Sequence, residues 1–512
     1  MSEKFGKILK GAMYGLFLLV FAWISGQLFF ERQTNNLMTS VGGIFANKEV
    51  SNNSVADELK VIYSDEPDKL EPAIGDPATW KRLINIYEPL IKLDRDLNVR
   101  PALAMSWGLI DERTWEFHLR PNVHFHDGSA LDSQDVIAGI ERNKTFGGLK
   151  SIAEVKAIGD LVLQIKTKNP DPLLLQRLSR VLIFPSEIKD KKELPVIGSG
   201  PYRLISWEKG NIMSLARFDD YWGEKPKFAK VQMFSISNKS DRVNMFLNGD
   251  ADLLDFVPYD AVSAVKDAGF EVLSMPSLEV ESIFFNTKVE FFKDVNNRKL
   301  VSMLLDQNYL INSLGGYANA VTQFVSTGTF GFNPEISQHK YDTEEAKKNI
   351  EKNNLKGKLI QIHFPKEFSF LGEYLRKQLT DAGLVPVISY MDPDPLWKSM
   401  ENGDADLYFL GFRAELGDAD DFFSTIPYSK GNFNITNYKN PKIDSLTEIS
   451  KTEMDQKKRL QELQQAMQIV VEEDVIGMPL FEFQTLFTFD HKIRMIPRID
   501  GFIYFDELII EK

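Results

Sequence analysis

Acidic side chains crowd one loop of this 512-residue chain: Glu415, Asp418, Asp420 and Asp421, with Arg413 just ahead of them. Carboxylates at this spacing suit two kinds of chemistry. Glu415 and Asp418 could act as general acid and base in a hydrolysis, but nothing beside them supplies a nucleophile or a bound metal. A carboxylate shielded from water can instead make a short, charge-assisted bond to an ammonium group. Asp418, Asp420 and Asp421 also suit turns and helix caps. Arg413 can grip a ligand carboxylate bidentately or balance Glu415. The clustered histidines are His118, His124 and His126, followed by Asp127. On a strand, His124 and His126 share one face, as a metal pair would. No third and fourth ligand follows at a diagnostic spacing, so no metal and no cofactor is expected. Gly198-Ser199-Gly200-Pro201 lacks both the Gly-Lys-Ser/Thr of a phosphate loop and the G-x-S-x-G of a nucleophile elbow. A type II turn opening a strand accounts for it.

The acidic loop needs a strand to present it. Asp406-Leu407-Tyr408-Phe409-Leu410-Gly411-Phe412 reads as a short apolar strand, and Asn402-Gly403 before it as a helix end, Gly accepting the left-handed position. Open α/β sheets place ligands at the carboxyl ends of such strands. The phrase Asn-Gly-Asp-Ala-Asp-Leu occurs twice, at residues 248–253 and 402–407, each after a helix-like run. Two copies suggest two similarly built lobes. Further strands are expected at residues 59–63, 114–119, 161–166, 358–364, 385–390 and 482–488. Helices are expected at residues 80–90, 131–143 (capped by Asp132 or Ser133), 370–381 and 451–474. Strand–helix alternation from residue 358 onward is parallel α/β organisation. Asn286 falls where a strand crosses between lobes, and its amide could bond a ligand backbone or serve the strand end. Tyr63, Trp80 and Phe284 could wall a side-chain pocket or simply fill core.

The formal net charge is −13, and no Lys/Arg-rich run marks the body, so nucleic-acid binding is not expected. The absence of cysteine excludes disulfides, thiolate metal sites and a lipidated thiol. Residues 11–30 carry no charge, and Lys4, Lys7 and Lys10 precede them. As a helix they would cover about 30 Å, one bilayer core, with the amino terminus in the cytoplasm and the body outside. An uncleaved anchor in residues 1–31 is expected, the rival being a cleaved signal peptide. Residues 32–56 read as a flexible tether.

The most specific wording is Phe117-His118-Leu119-Arg120, then Val123-His124-Phe125-His126-Asp127-Gly128, then Gln134-Asp135-Val136. It resembles the exported solute-binding proteins of peptide- and nickel-type ABC importers. Other resemblances keep that family's order: Ile86-Tyr87-Glu88-Pro89-Leu90, Pro101-Ala102-Leu103-Ala104-Met105-Ser106-Trp107, Gly198-Ser199-Gly200-Pro201-Tyr202, Asp220-Tyr221-Trp222-Gly223, Phe285-Asn286-Thr287 and Asp294-Val295-Asn296-Asn297-Arg298.

The resemblance implies an α/β, two-lobed periplasmic-binding-protein fold of type II. Lobe one would be residues 57–283 with a subdomain near 90–195, rejoined by residues 481–512; lobe two would be residues 284–480. It implies capture of a peptide or other small solute between the lobes and, for a monomer outside the cytoplasm, delivery to an ABC permease in the membrane. In the family's dipeptide binders a Gly-Trp strand end is followed by an Asp that pairs with the ligand α-ammonium. Here Phe412 stands for the Trp and Glu415 for the Asp. The ligand-binding residues expected are therefore Glu415, Phe412, Arg413, Asn286, Asp418, Trp80 and Tyr63. A non-peptide solute (a sugar or a nickel complex), or a membrane-tethered sensor on the same fold, are the alternatives, and the non-enzymatic character is common to all.

Overall fold

The computed structural model describes residues 56–511, apart from residues 74, 147, 148, 338 and 339. The expected anchor and tether, residues 1–31 and 32–56, lie outside the described residues but for Ala56. Among the described residues no helix is long and apolar enough to cross a membrane.

A mixed sheet of eleven strands runs through the molecule. Its spine is two long antiparallel strands, Val272–Phe285 and Gly477–Phe489. Beside Gly477–Phe489 lie Leu253–Leu254 and then Ala56–Tyr63, Phe228–Ser235, Ile212–Arg217 and Tyr202–Glu208. Beside Val272–Phe285 lie Leu407–Arg413, Leu359–Pro365 and Val385–Met391, the last two pairs parallel as the strand–helix alternation predicts. The second half of Val272–Phe285 and most of Gly477–Phe489 are buried, both faces of the sheet being covered there.

Apolar burial divides along this spine. One cluster joins Leu59, Val61, Leu83, Phe228 and Val231 to the C-terminal Phe502, Ile503 and Phe505. Two others are built wholly from residues between 283 and 483. A separate cluster fills residues 90–183, where Ala104–Asp111, Thr114–Leu119, Val162–Thr167 and Ile152–Gly159 make a four-stranded antiparallel sheet against helix Ser133–Thr145. Asp132 caps that helix, and Asp135 returns the bond in a capping box.

Three local expectations change. The helix expected over residues 80–90 is Pro77–Leu83. It stops because the carbonyls of Asn85 and Ile86 accept from the Tyr202 and Gly200 amides instead. The helix expected over residues 451–474 starts at Gln456, capped by Asp455, and widens to a π turn at Ile469–Glu473. Gly198 and Gly200 are not in a left-handed turn, since neither has a positive φ. They are needed because a Cβ at either would run into the Ile86 backbone.

Candidate functional site

A cavity of about 110 Å³ opens where the spine strands pass between the two groups of cores. One side is built by Lys81 of helix Pro77–Leu83, by Asp255 and Phe256 just after strand Leu253–Leu254, and by Phe502 of the C-terminal loop. The other is built by Glu279 of the long strand, Arg413 at the end of Leu407–Arg413, and Glu415 beyond it.

Most charges in the cavity already have partners. Lys81 Nζ lies 2.7 Å from Asp255 Oδ2 and 3.6 Å from Asp65. Arg82 lies 3.3 Å from Asp65 and stacks 3.9 Å over the Tyr63 ring. Glu415 faces two guanidinium groups, Arg413 at 3.3 Å and Arg180 at 3.6 Å. Arg180 also donates to the Glu415 carbonyl at 2.9 Å, and Arg413 donates to the Asp500 carbonyl at 2.8 Å. These two bonds tie the acidic loop and the strand end before it to the subdomain and to the C-terminal loop, beside the cavity that Arg413, Glu415 and Asp500 line. Aromatic rings support the first: the Arg180 guanidinium sits 5.3 Å from the Trp80 ring and 5.1 Å from the Phe502 ring.

Glu279 and Glu281 differ from the rest. They sit two apart on one face of Val272–Phe285, opposite Arg413 and Gly411 respectively. Burial pushes the Glu279 carboxyl up to about 7, with Arg413 pulling it down and Glu415 adding to the rise. Glu281 is 2% exposed and its Oε2 has no hydrogen-bond partner. Burial first, then Glu279 and Glu367, hold its carboxyl well above the usual range.

The residues singled out from the sequence separate into two groups. Glu415 and Arg413 line the cavity. Trp80 stands behind Phe502, ring centroids 6.4 Å apart. Tyr63 lies in the core beneath Arg82. Phe412 points to the opposite sheet face from Arg413 and packs edge-on against Phe422, in the core. Asn286 is buried and donates its amide to the Ala405 carbonyl at 3.0 Å, with its own oxygen accepting from Asn437. Asp418 is held bidentately by Arg459 at 2.6 and 2.8 Å, both side chains buried. Its carboxylate does not line the cavity, so Glu415 and Asp418 make no acid–base pair there. Phe284 stacks on Phe324 in the core.

One histidine of the cluster, His126, holds structure together. His126 Nδ1 accepts from the Gly198 amide at 3.4 Å and Nε2 donates to the Gly200 carbonyl at 3.0 Å. Burial holds its pKa down near 4, so it stays neutral. The two wordings noticed separately in the sequence, around residues 126 and 198, therefore form one contact. No group of three metal-ligating side chains occurs among the described residues.

Sequence reasoning missed Arg180, Lys81, Glu279 and Glu281. The signal for the last two was present: Leu278-Glu279-Val280-Glu281-Ser282-Ile283 places acids at period two within an otherwise apolar strand. Arg180 carried none, since its role depends on a contact 235 residues away.

Comparison with known proteins gives this architecture its relatives. The chain is 22% identical over 487 residues to the probable D,D-dipeptide-binding periplasmic protein DdpA of Escherichia coli, covering 88% of this chain and 92% of that one. Its fold superposes on the DppA periplasmic binding protein of Helicobacter pylori, solved with the peptide STSA, with a TM-score of 0.73, 21% identity and coverage of 89% and 98%. It superposes on NikA of Brucella suis, solved with Fe(III)-EDTA, with a TM-score of 0.81, 19% identity and coverage of 89% and 100%. The two-domain binding-protein fold is thus shared with proteins whose solved ligands differ in kind. The family model for bacterial extracellular solute-binding proteins, family 5, matches residues 98–434, and the chain belongs to that family.

Proposed function

We propose that this protein works outside the cytoplasm, captures a peptide in the cavity between two lobes and delivers it to an ABC importer permease. Lobe one is residues 57–283 with 481–512, lobe two is residues 284–480, and the spine strands Val272–Phe285 and Gly477–Phe489 carry the hinge. The observation that carries the reading is the pair of bonds beside the cavity, Arg180 to Glu415 and Arg413 to Asp500. They are few and polar, as a closing contact between lobes should be. The ligand α-ammonium takes the Glu415 carboxylate and displaces the Arg180 guanidinium from it, one charge-assisted bond replacing another. Peptide main chain is then satisfied by the exposed groups of both sides.

Thermal unfolding of the purified protein with di-, tri- and longer peptides, a sugar and Ni²⁺ tests this. A solute at a hundred times its Kd adds roughly 2.7 kcal/mol. A shift with free-amine peptides, lost on N-acetylation and in Glu415→Ala, is the expected result. A shift only with the sugar or with Ni²⁺ would overturn the peptide assignment and leave solute capture standing.

A further inference from the structure

Around Glu279, on the wall of the cavity, carboxyl groups outnumber cations. Glu279, Glu281, Glu367 and Glu415 interact there against two guanidinium groups, Arg413 and Arg180. Lys81 adds nothing to the balance, being matched by Asp255, and Arg498 is matched by Asp500. The excess converges on one point. A Cβ built on Gly411 would meet Glu279 Oε1 at 2.6 Å, Glu281 Oε1 at 2.6 Å and Glu281 Oε2 at 2.9 Å. Gly411 therefore leaves a space that two carboxylates enter from the same side. Glu279 lines the cavity, and Glu281 follows it on the same face of the strand, toward the core that begins at Ile283. Glu281 Oε2 is buried with no partner, and a buried carboxylate without one is costly.

We propose that this is a second cation subsite, in which a side-chain ammonium or guanidinium group of the solute pairs with the converging carboxyl groups of Glu279 and Glu281. The assignment rests on the solute-capture reading above and narrows it to solutes that carry a basic side chain. The α-ammonium goes to Glu415, and the second cation goes to Glu279 and Glu281.

Every neighbouring element leaves the pair short of cations. The adjacent strand offers Arg413, already shared with Glu415 and Asp500. Tyr259 donates its hydroxyl to the Gln484 carbonyl. Glu367, on the turn Lys366–Phe368, adds negative charge. Glu482 stands opposite Val280, so it points to the other sheet face, where Asn319 donates to it. In the empty site protons hold the pair together. The raised carboxyl of Glu279 makes the solute-free protein more stable below the ordinary glutamate range and less stable as pH rises through about 7, and the raised carboxyl of Glu281 acts in the same direction. An arriving cation replaces a proton, which leaves to solvent, so affinity for a basic solute rises as pH rises from 6 to 8.

The test is calorimetry on the intact protein with Ala-Lys-Ala, its norleucine isostere Ala-Nle-Ala, and n-butylammonium, at pH 6 and 8. The lysine peptide should bind about ten-fold tighter than the isostere or better, more so at pH 8, releasing protons. Glu281→Gln and Glu279→Gln should each abolish that preference. Equal affinity of the two peptides for the wild type, or a preference that survives Glu281→Gln, overturns the subsite and leaves peptide capture intact. Butylammonium binding that Glu281→Gln removes, with no peptide bound, keeps the subsite and overturns peptide capture. Failure of both peptides and butylammonium overturns both.

Discussion

The two copies of Asn-Gly-Asp-Ala-Asp-Leu build the same object in two places. Each ends a helix, Lys239–Leu247 or Pro393–Asn402, through a left-handed glycine, Gly249 (φ 77°) or Gly403 (φ 73°). In each the next amide reaches back five residues, Asp250 to Met245 and Asp404 to Ser399, the closure of a Schellman motif. The second aspartate then clamps the neighbouring parallel strand at both backbone groups. Asp252 receives from the Lys60 amide at 2.8 Å and donates to its carbonyl at 2.9 Å; Asp406 does the same to Gln361 at 2.9 and 2.9 Å. The carbonyls of both aspartates accept a backbone bond from the other side, from Asp490 and from Asn286.

Beyond the shared leucine the two copies diverge, and the divergence makes the site. The first copy continues for two strand residues, Leu253–Leu254, and delivers Asp255 straight to Lys81. The second continues for seven, because Val272–Phe285 pairs with it along its whole length. It therefore carries Arg413 and, just beyond it, Glu415 to the cavity. One module thus gives a closed ion pair on one side and, on the other, a site with carboxylates to spare.

The largest effect should come from the acids that each copy leads to. Arg459→Met leaves Asp418 buried and unpaired beside Asp420 and should cost ~3–5 kcal/mol. Lys81→Met exposes Asp255 to the same loss, but Arg82 remains against Asp65, so the cost should fall at or below the lower end of that range. Urea midpoints at unchanged slope measure both. Equal losses would mean that Arg82 gives no relief and that the two sides are balanced alike.

A smaller effect tests the clamps themselves. Asp252→Ala should cost about 1–3 kcal/mol by leaving the part-buried Lys60 amide without its acceptor, and Asp406→Ala about 0.5–1.5 kcal/mol, because the Gln361 amide is exposed and water takes the place of the carboxylate. Asp252 has an added tie, Lys492 at 2.5 Å, so its loss should be the greater. If either change proves neutral, the repeat is one of composition and the shared bonds carry no weight.

Much of this framework was legible in the sequence. The repeat, its glycine stops and the strand at residues 406–412 follow from turn chemistry and apolar runs, which are local. So do the capping of helix Ser133–Thr145 and the parallel pairs after residue 358. The spine was only half legible, since strand Val272–Phe285 begins in a polar stretch with a proline and owes its length to pairing with Gly477–Phe489. Of the residues singled out in the sequence, Glu415, reached through the family resemblance, and Arg413, reached through its place beside it, line the cavity. Phe412, Asn286, Asp418 and Tyr63 were misleading for one reason: polar or aromatic residues next to a site satisfy buried neighbours as readily as ligands. Arg459 for Asp418 and Ala405 for Asn286 are far off in sequence or buried in backbone, and no spacing announces them.

The smallest effect sharpens the comparison most. Alanine at a left-handed position costs roughly 1–2 kcal/mol from its Cβ alone, and both Gly249→Ala and Gly403→Ala incur that backbone term. Around Gly249 a new Cβ meets open space. Around Gly403 it meets Asn437 Nδ2 at 3.2 Å and Asn286 Nδ2 at 3.6 Å, and those two side chains are bonded to each other. The difference between the two losses therefore isolates the asparagine contact from the backbone term. It should be a few tenths of a kcal/mol, with Gly403→Ala the worse, and should vanish when the two glycine changes are compared in an Asn437→Ala background. A difference that persists there would place it in the helix end and not in Asn437. The repeat would then be alike in hydrogen bonds but not in backbone strain.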